Sequence, residues 1–307
     1  MAADEVAPPR ASAGEGGRSS FDWWGELRGL LGLLLLVLGF HSFVAKPFFI
    51  PSESMLPGLM VGDRLVVSKF AYGWSFVSPT IPSPEAIVRD FVLRQPVASW
   101  TVQLPPMEGR VWGSMPARGD VVIVKPPGSN TDLIKRVIGL PGDRIEVAGG
   151  TVYLNGTAVP RVAMGPRLIP VDANTRCLEE DYPGALVRGR NGKAYCRLLV
   201  YRETLPEGRS YDTIDLGRFA GDEYPEITVP EGRVFLMGDN RDNSADSRFP
   251  EESNGLGGAV RWENLGGRAE FITFSLDGTT GWNPLTWFSS FRGGRAGVSL
   301  HPQEPAS

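Results

Sequence analysis

Thr131-Asp-Leu-Ile-Lys-Arg-Val-Ile-Gly-Leu-Pro-Gly-Asp143 is the stretch whose reading decides the fold. Leu133 to Ile138 form an apolar, β-rich run interrupted by two cations, and Gly, Pro and Asp close it as a turn. Strand alternation puts Leu133, Lys135 and Val137 on one face, and Ile134, Arg136 and Ile138 on the other. A lysine between two apolar neighbours on a strand face is partly desolvated. Desolvation lowers a lysine pKa, by up to about 3–5 units when burial is complete. A neutral amine near pH 7–8 is a competent general base. Both faces are equally apolar, so the pattern does not say which cation is buried. Arginine effectively keeps its proton, which leaves Lys135 as the candidate base. A lysine snorkelling from a sheet edge is the bland alternative.

Outward from this strand the same grammar continues. Short β-branched runs alternate with Gly and Pro punctuation after Lys46. They predict strands at Arg64–Ser68, Asp120–Val124, Arg144–Val147, Thr151–Leu154, Arg233–Met237 and Arg268–Phe274. Val147-Ala-Gly-Gly-Thr151 reads as a hairpin connection between two of them. No long stretch beyond residue 46 carries clear helical periodicity. The expectation is a mostly β protein: an antiparallel sheet domain over 47–307 with a smaller β or irregular region inserted. Residues 75–110 and 155–226 are proline-rich and less regular, and read as insertions.

The N-terminal end is different. Residues 1–24 begin as an Ala/Gly/Pro/Ser-rich tail of mixed charge, expected to be disordered. Residues 25–46 carry a run of leucines. As a helix, Leu27 to Ala45 spans about 28 Å, close to a bilayer core of about 30 Å. Trp23 and Trp24 precede it as an interfacial pair, and Arg28 and Lys46 can snorkel outward. No Ala-x-Ala follows the run, which disfavours a cleaved leader, and its all-round apolarity disfavours a buried core helix. The chain is expected to be a single-pass membrane protein. Arg10, Arg18 and Arg28 against Lys46 and Arg64 lean toward a cytoplasmic N-terminus. Near the other end, in segment 279–307, Trp282, Trp287, Phe288 and Phe291 precede Arg292 and Arg295. Such a grouping suits either a membrane interface or packing onto the sheet.

Composition narrows the chemistry. Over 307 residues, 31 Lys+Arg stand against 35 Asp+Glu, a net −4, which argues against a nucleic-acid partner. Only two histidines occur. His41 lies inside the apolar run and His301 near the C-terminus, so His-dependent hydrolysis and His-ligated zinc fall away. Cys177 and Cys196 cannot make a zinc site alone. They read either as one disulfide or as two unpaired thiols. A bridge would stabilise the fold by roughly 3 kcal/mol in the chain-entropy account and needs an oxidising compartment. No metal and no cofactor is expected.

Two further segments stand out. Ile50-Pro-Ser-Glu-Ser-Met-Leu-Pro57 follows the apolar run, its prolines forbidding a helix. If it is extended, Ser52 and Ser54 point to the same side. Gly238-Asp-Asn-Arg-Asp-Asn-Ser-Ala-Asp-Ser-Arg248 is almost entirely Asx, Ser and Arg after the apolar run Val234–Met237. Such side chains cap turns. The spacing of a calcium loop is absent, and the arginines and aspartates suit an internally neutralised network. Together the three segments supply a nucleophile, a base and an orienting network without histidine, and a Ser-Lys pair is an established form of that logic.

At these residues the chain resembles the bacterial type I signal peptidases, the membrane-bound leader peptidases. Pro51-Ser-Glu-Ser-Met-Leu-Pro-Gly-Leu59 is similar to the family's nucleophile box, and Gly62-Asp-Arg-Leu-Val-Val-Ser-Lys-Phe-Ala-Tyr-Gly73 to the box after it. Arg118-Gly-Asp-Val-Val through Ile134 to Asp143 resembles the lysine box, and Gly238 to Arg248 the last one. The resemblance covers roughly 47–73, 110–155 and 230–275. One departure is Gly58, where the family usually has Thr; another is the long stretch 75–110. The resemblance implies Ser54 as nucleophile and Lys135 as general base, acting through an acyl-enzyme. It implies an oxyanion hole from the Ser54 N–H and the Ser52 hydroxyl, with Ser244 orienting Lys135. Arg136, Asp239, Asp246 and Arg248 would brace them, with Met55 and Pro57 beside the substrate. It further implies exported preproteins cut after Ala-x-Ala, bound as an added strand beside the lysine strand. The implied setting is a bacterial inner membrane with the catalytic domain on the extracytoplasmic side, as a monomer. The alternatives are a Ser-Lys peptidase of narrow substrate, of pilin or conjugation-factor type, and an inactive anchored β scaffold. A self-cleaving repressor would want a helix-turn-helix ahead of the domain, and an aspartic protease Asp-Thr-Gly or Asp-Ser-Gly.

Overall fold

A computed structural model describes residues 22–83, 85, 102, 104–126, 129, 131–280 and 285–304. The tail expected over 1–24 falls largely outside these, as do Trp282, Arg10, Arg18 and much of 75–110. The chain divides into two compact units, Met1–Val37 and Leu38–Ser307.

Helix α1 runs Trp23–Phe43 with mean hydropathy 1.5, long and apolar enough to cross a bilayer. It stops earlier than the expected 46. Pro47 forces its predecessor out of the helical region, and Lys46 belongs instead to strand β1, Ala45–Phe49.

The other strands are β2 (Asp63–Ser68), β3 (Val121–Val124), β4 (Leu133–Gly139), β5 (Arg144–Ala148), β6 (Thr151–Leu154), β7 (Thr157–Ala158) and β8 (Arg161–Pro170). Then follow β9 (Leu186–Arg188), β10 (Ala194–Thr204), β11 (Ser210–Ile214), β12 (Tyr224–Thr228), β13 (Arg233–Met237), β14 (Val260–Arg261) and β15 (Leu265–Ser275). Among the described residues they form three antiparallel sheets. The largest has the order β1-β2-β15-β3-β4-β13-β14; the others are β11-β10-β8, with β9 on β10, and β12-β5-β6-β7. The β5–β6 hairpin turns through Gly149 and Gly150, both at positive φ, where glycine costs least.

Strands β3, β4 and β13 of the large sheet are covered on both faces, which is why they read as near-continuous apolar runs. Val121, Ile123 and Ile134 pack with Leu65 and Ile272 in one core, and Val122, Val124 and Val137 with Val234 and Leu236 in another. Strand β13 alternates in the same way: Phe235 and Met237 turn to a third core with Ile145 and Val152.

Region 155–226 is not irregular. It holds long paired strands, with β10 and β8 matched from Tyr195↔Pro170 to Glu203↔Arg161 across one register shift at Val200/Tyr201. Gly165 and Pro166 inside β8, and its largely exposed side chains, hide the strand signal from sequence. Cys196, Leu198 and Val200 of β10 face a fourth core with Ile169 and Ile214. Cys177 and Cys196 are joined by a disulfide.

Candidate active site

The turn 51–60 sits between two cores. Ile50, Met55 and Leu59 pack into one beside Ile134, while Leu56 and Met60 pack into the fourth with Tyr182 and Cys196. Its entry and exit are tied together: Gly62 N–H donates to Ile50 C=O at 3.0 Å, and Met60 N–H to Asp63 Oδ2 at 2.8 Å. Buried Asp63 is ion-paired with Arg295. Gly62 is required here, because at φ +97° a Cβ would lie 2.1 Å from Leu276 C=O. Ser54 is therefore a buried residue on a braced turn.

Lys135 points at it. Its Nζ donates to Ser54 Oγ at 2.9 Å, and only 3% of the residue is exposed. Burial pushes the amine down to about 8, Arg248 adds to that, and Asp246 and Asp239 oppose it. The sequence left open which cation of β4 is buried; both are. Arg136 turns to the other face and makes a bidentate pair with Asp239, at 2.7 and 2.6 Å, over the ring of Tyr211.

Ser52 is exposed, its Oγ 3.4 Å from Ser54 Oγ. Asp246 and Arg248 form a second bidentate pair, and Asp246 Oδ2 accepts the Gly238 N–H at 2.9 Å. Both aspartates thus face arginines. At Gly238 a Cβ would lie 2.1 Å from Ser244 Oγ and 2.6 Å from Ser54 C=O, so the last segment passes directly under Ser54. Met55 and Pro57 are buried and line a 290 Å³ cavity with Gly58, Arg136 and Asp239. At Gly58 a Cβ would make only ordinary contacts, 3.7 Å from Asp239 and from Met55 C=O, so the departure there leaves the turn undisturbed.

One expected contact is not made. Ser244 is buried, but its Oγ has no hydrogen-bond partner and does not bond Lys135. The C-terminal arginines also differ from a lipid-facing reading. Arg292 pairs with Asp172 and Arg295 with Asp63, while Phe288 is 85% exposed and Phe291 lies against Phe274.

Two groups escaped the sequence reading. Arg241 makes a buried bidentate pair with Glu203, at 2.6 Å twice, and Tyr211 O–H donates to the same carboxylate. Strict alternation from Cys196, Leu198 and Val200 points Glu203 outward. That face is nevertheless covered at this end: Glu203 lies opposite Tyr211 of β11, which is buried in the third core. The second group is Glu53, Tyr182 and Asn240, with Tyr182 O–H donating to Glu53 Oε2 at 2.6 Å. A lone tyrosine in an irregular loop gives no sequence signal of such a contact.

Comparison with known proteins gives the class. The family described as signal peptidase, peptidase S26, matches residues 24–274. A signal peptidase I from Rickettsia typhi (strain Wilmington) is 30% identical over 266 residues, covering 84% of this chain and 80% of its own. Another, from Rickettsia bellii (strain OSU 85-389), is 29% identical over 273 residues, covering 86% and 75%. A solved signal peptidase I from Enterococcus faecalis V583 is 24% identical, with 50% of this chain and 97% of that one covered at a TM-score of 0.25. The chain belongs to the S26 signal peptidase family. It is a serine endopeptidase of that family.

Proposed function

We propose that the protein removes signal peptides from exported preproteins, using Ser54 as nucleophile and Lys135 as general base. The observation that carries this reading is the 2.9 Å contact between the two side chains, with the amine buried and its pKa pushed down to about 8. A serine hydroxyl needs such a base to attack a carbonyl.

Neutral Lys135 takes the Ser54 proton as Oγ attacks the scissile carbonyl. Collapse of the tetrahedral intermediate passes that proton to the leaving amine and leaves an acyl-enzyme. Water, deprotonated by Lys135, then hydrolyses the ester. The Ser54 N–H donates to no group among the described residues and is the donor proposed for the oxyanion. Ser52 Oγ lies on the same side of Ser54. Loss of one oxyanion donor typically costs about 10²–10³ in rate.

Strand pairing supports extended substrate. Leu133 to Lys135 pair with β3, whereas β13 pairs only from Arg136 onward, leaving one edge of the lysine strand open. A peptide adding there brings its backbone to Ser54 and Lys135. Small residues at −3 and −1, the Ala-x-Ala pattern, are the proposed requirement. The helix Trp23–Phe43 is proposed as the single membrane anchor, with its N-terminus cytoplasmic and 47–307 extracytoplasmic, as a monomer in a bacterial inner membrane.

The test is a cleavage assay in detergent with folded full-length variants. Ser54→Ala and Lys135→Met are each expected to abolish preprotein cleavage, and Ser244→Ala to cost less. Near wild-type activity in either dyad variant sinks the assignment.

A further inference from the structure

The nucleophile is flanked by two peptide units, and one residue holds both. Asn240 Nδ2 donates to Glu53 C=O at 3.1 Å, and Asn240 N–H donates to Ser54 C=O at 3.1 Å. The Glu53–Ser54 peptide is trans, so its C=O and N–H point in opposite directions. Holding the Glu53 carbonyl against Asn240 therefore aims the Ser54 N–H away from Asn240, where no group among the described residues accepts it.

Asn240 is itself fixed. It is fully buried, and the chain on either side of it is tied to β11: Ile214 N–H donates to Asp239 C=O and Arg241 N–H to Ile214 C=O, both at 2.9 Å. Its Nδ2 also donates to Tyr182 Oη at 2.9 Å, and Tyr182 O–H donates to Glu53 Oε2 at 2.6 Å. Burial pushes the Tyr182 hydroxyl well above its ordinary pKa, with Glu53 adding to this, so it stays a donor. Asn240 Oδ1 is left buried without a partner. The amide is oriented by its two donated bonds, at the expense of its acceptor. A flipped amide would set oxygen against both the Glu53 carbonyl and a hydroxyl already committed to Glu53.

We propose that Asn240, steadied by Tyr182, is a positioning residue that aims the Ser54 N–H at the oxyanion. This rests on the reading of Ser54 as nucleophile. The network does not touch the Lys135 amine; it acts on the donor and not on the base. The disulfide-closed segment 177–196, which carries Tyr182, packs against the same turn through Leu56 and Met60.

The test uses full-length Asn240→Ala and Tyr182→Phe in detergent, with Ser54→Ala and Lys135→Met beside them. Kinetics are measured on a preprotein, with inhibition by a substrate-like peptide aldehyde whose Ser54 adduct carries an oxyanion. Asn240→Ala is expected to lower kcat by about 10–10²-fold, part of a full donor loss, with KM within about twofold. Aldehyde affinity falls in parallel, and the pH limb of Lys135 stays near 8. Tyr182→Phe, which removes one oxygen, is expected to lower kcat by about 3–10-fold in the same way. It decides the matter if Asn240→Ala does not fold. An unchanged kcat in the folded variants, or a loss accompanied by a displaced pH limb, overturns the positioning role. Activity retained in Ser54→Ala or Lys135→Met overturns the dyad reading beneath it.

Discussion

Lys135 carries a burial cost that the proposed mechanism puts to use. A buried ammonium is disfavoured, and the relief is loss of its proton. With the amine down to about 8, a fraction is neutral at physiological pH and hydrogen-bonded to Ser54. The sign for activity follows. In the proposed mechanism only the unprotonated amine accepts the serine proton, so kcat/KM is expected to rise with pH through about 8 and then level. At pH 6 it should stand near a hundredth of its plateau, or about two decades down. Initial rates from pH 5.5 to 9.5 check this, and a flat profile across that range contradicts it. Arg136, its chain neighbour, shows the other outcome. It keeps its charge and meets Asp239 with two short bonds. Sequence alternation separated the faces of the two cations but could not weigh them, because burial on both faces is set by strands distant in the chain.

At the scale of elements, the last polar segment is a scaffold more than a turn. Asp239–Arg136, Asp246–Arg248 and Glu203–Arg241 are three buried bidentate pairs joining it to β4, to itself and to β10. Removing one partner of a buried pair strands the other charge. Asp239→Asn is therefore expected to cost about 3 kcal/mol and to lower Tm by about 6–12 °C. Thermal unfolding followed by circular dichroism measures it, and a melt within a degree or two of wild type contradicts the bracing role. The strands around these pairs were largely legible: β6 and β13 lie where the apolar runs predict, and β4 runs one residue further. Two things were not. The helix-to-strand change at residues 44–46 is dictated by Pro47, a local rule overshadowed by the leucine run. Strand β8 carries an exposed face, a glycine and a shift of register against β10, and the outward face of β10 is covered only where Tyr211 lies opposite Glu203, so neither shows a plain alternation.

For the whole molecule, the apolar helix and the β unit make different claims. Trp23–Phe43 has the length and composition of a single span. The protein is expected to stay in the membrane pellet through alkaline carbonate and to leave it in detergent; release by carbonate contradicts the anchor. Of the candidate site, the segments carrying Ser54, Lys135 and the Asp239 and Asp246 pairs stood out because each is a short run of unusual composition, whereas the Glu203 partner of Arg241 did not. Nor did the Glu53–Tyr182–Asn240 contacts, since they join three segments whose proximity only folding creates. The central claim is that Ser54 and Lys135 cut a preprotein at its signal-peptide boundary. Its most direct test incubates wild type, Ser54→Ala and Lys135→Met in detergent with a preprotein bearing Ala-x-Ala, and reads the product's new N-terminus by mass spectrometry. A single N-terminus directly after the final Ala with wild type, and none with either variant, is the predicted result. Cleavage elsewhere, or the same product from either variant, contradicts it.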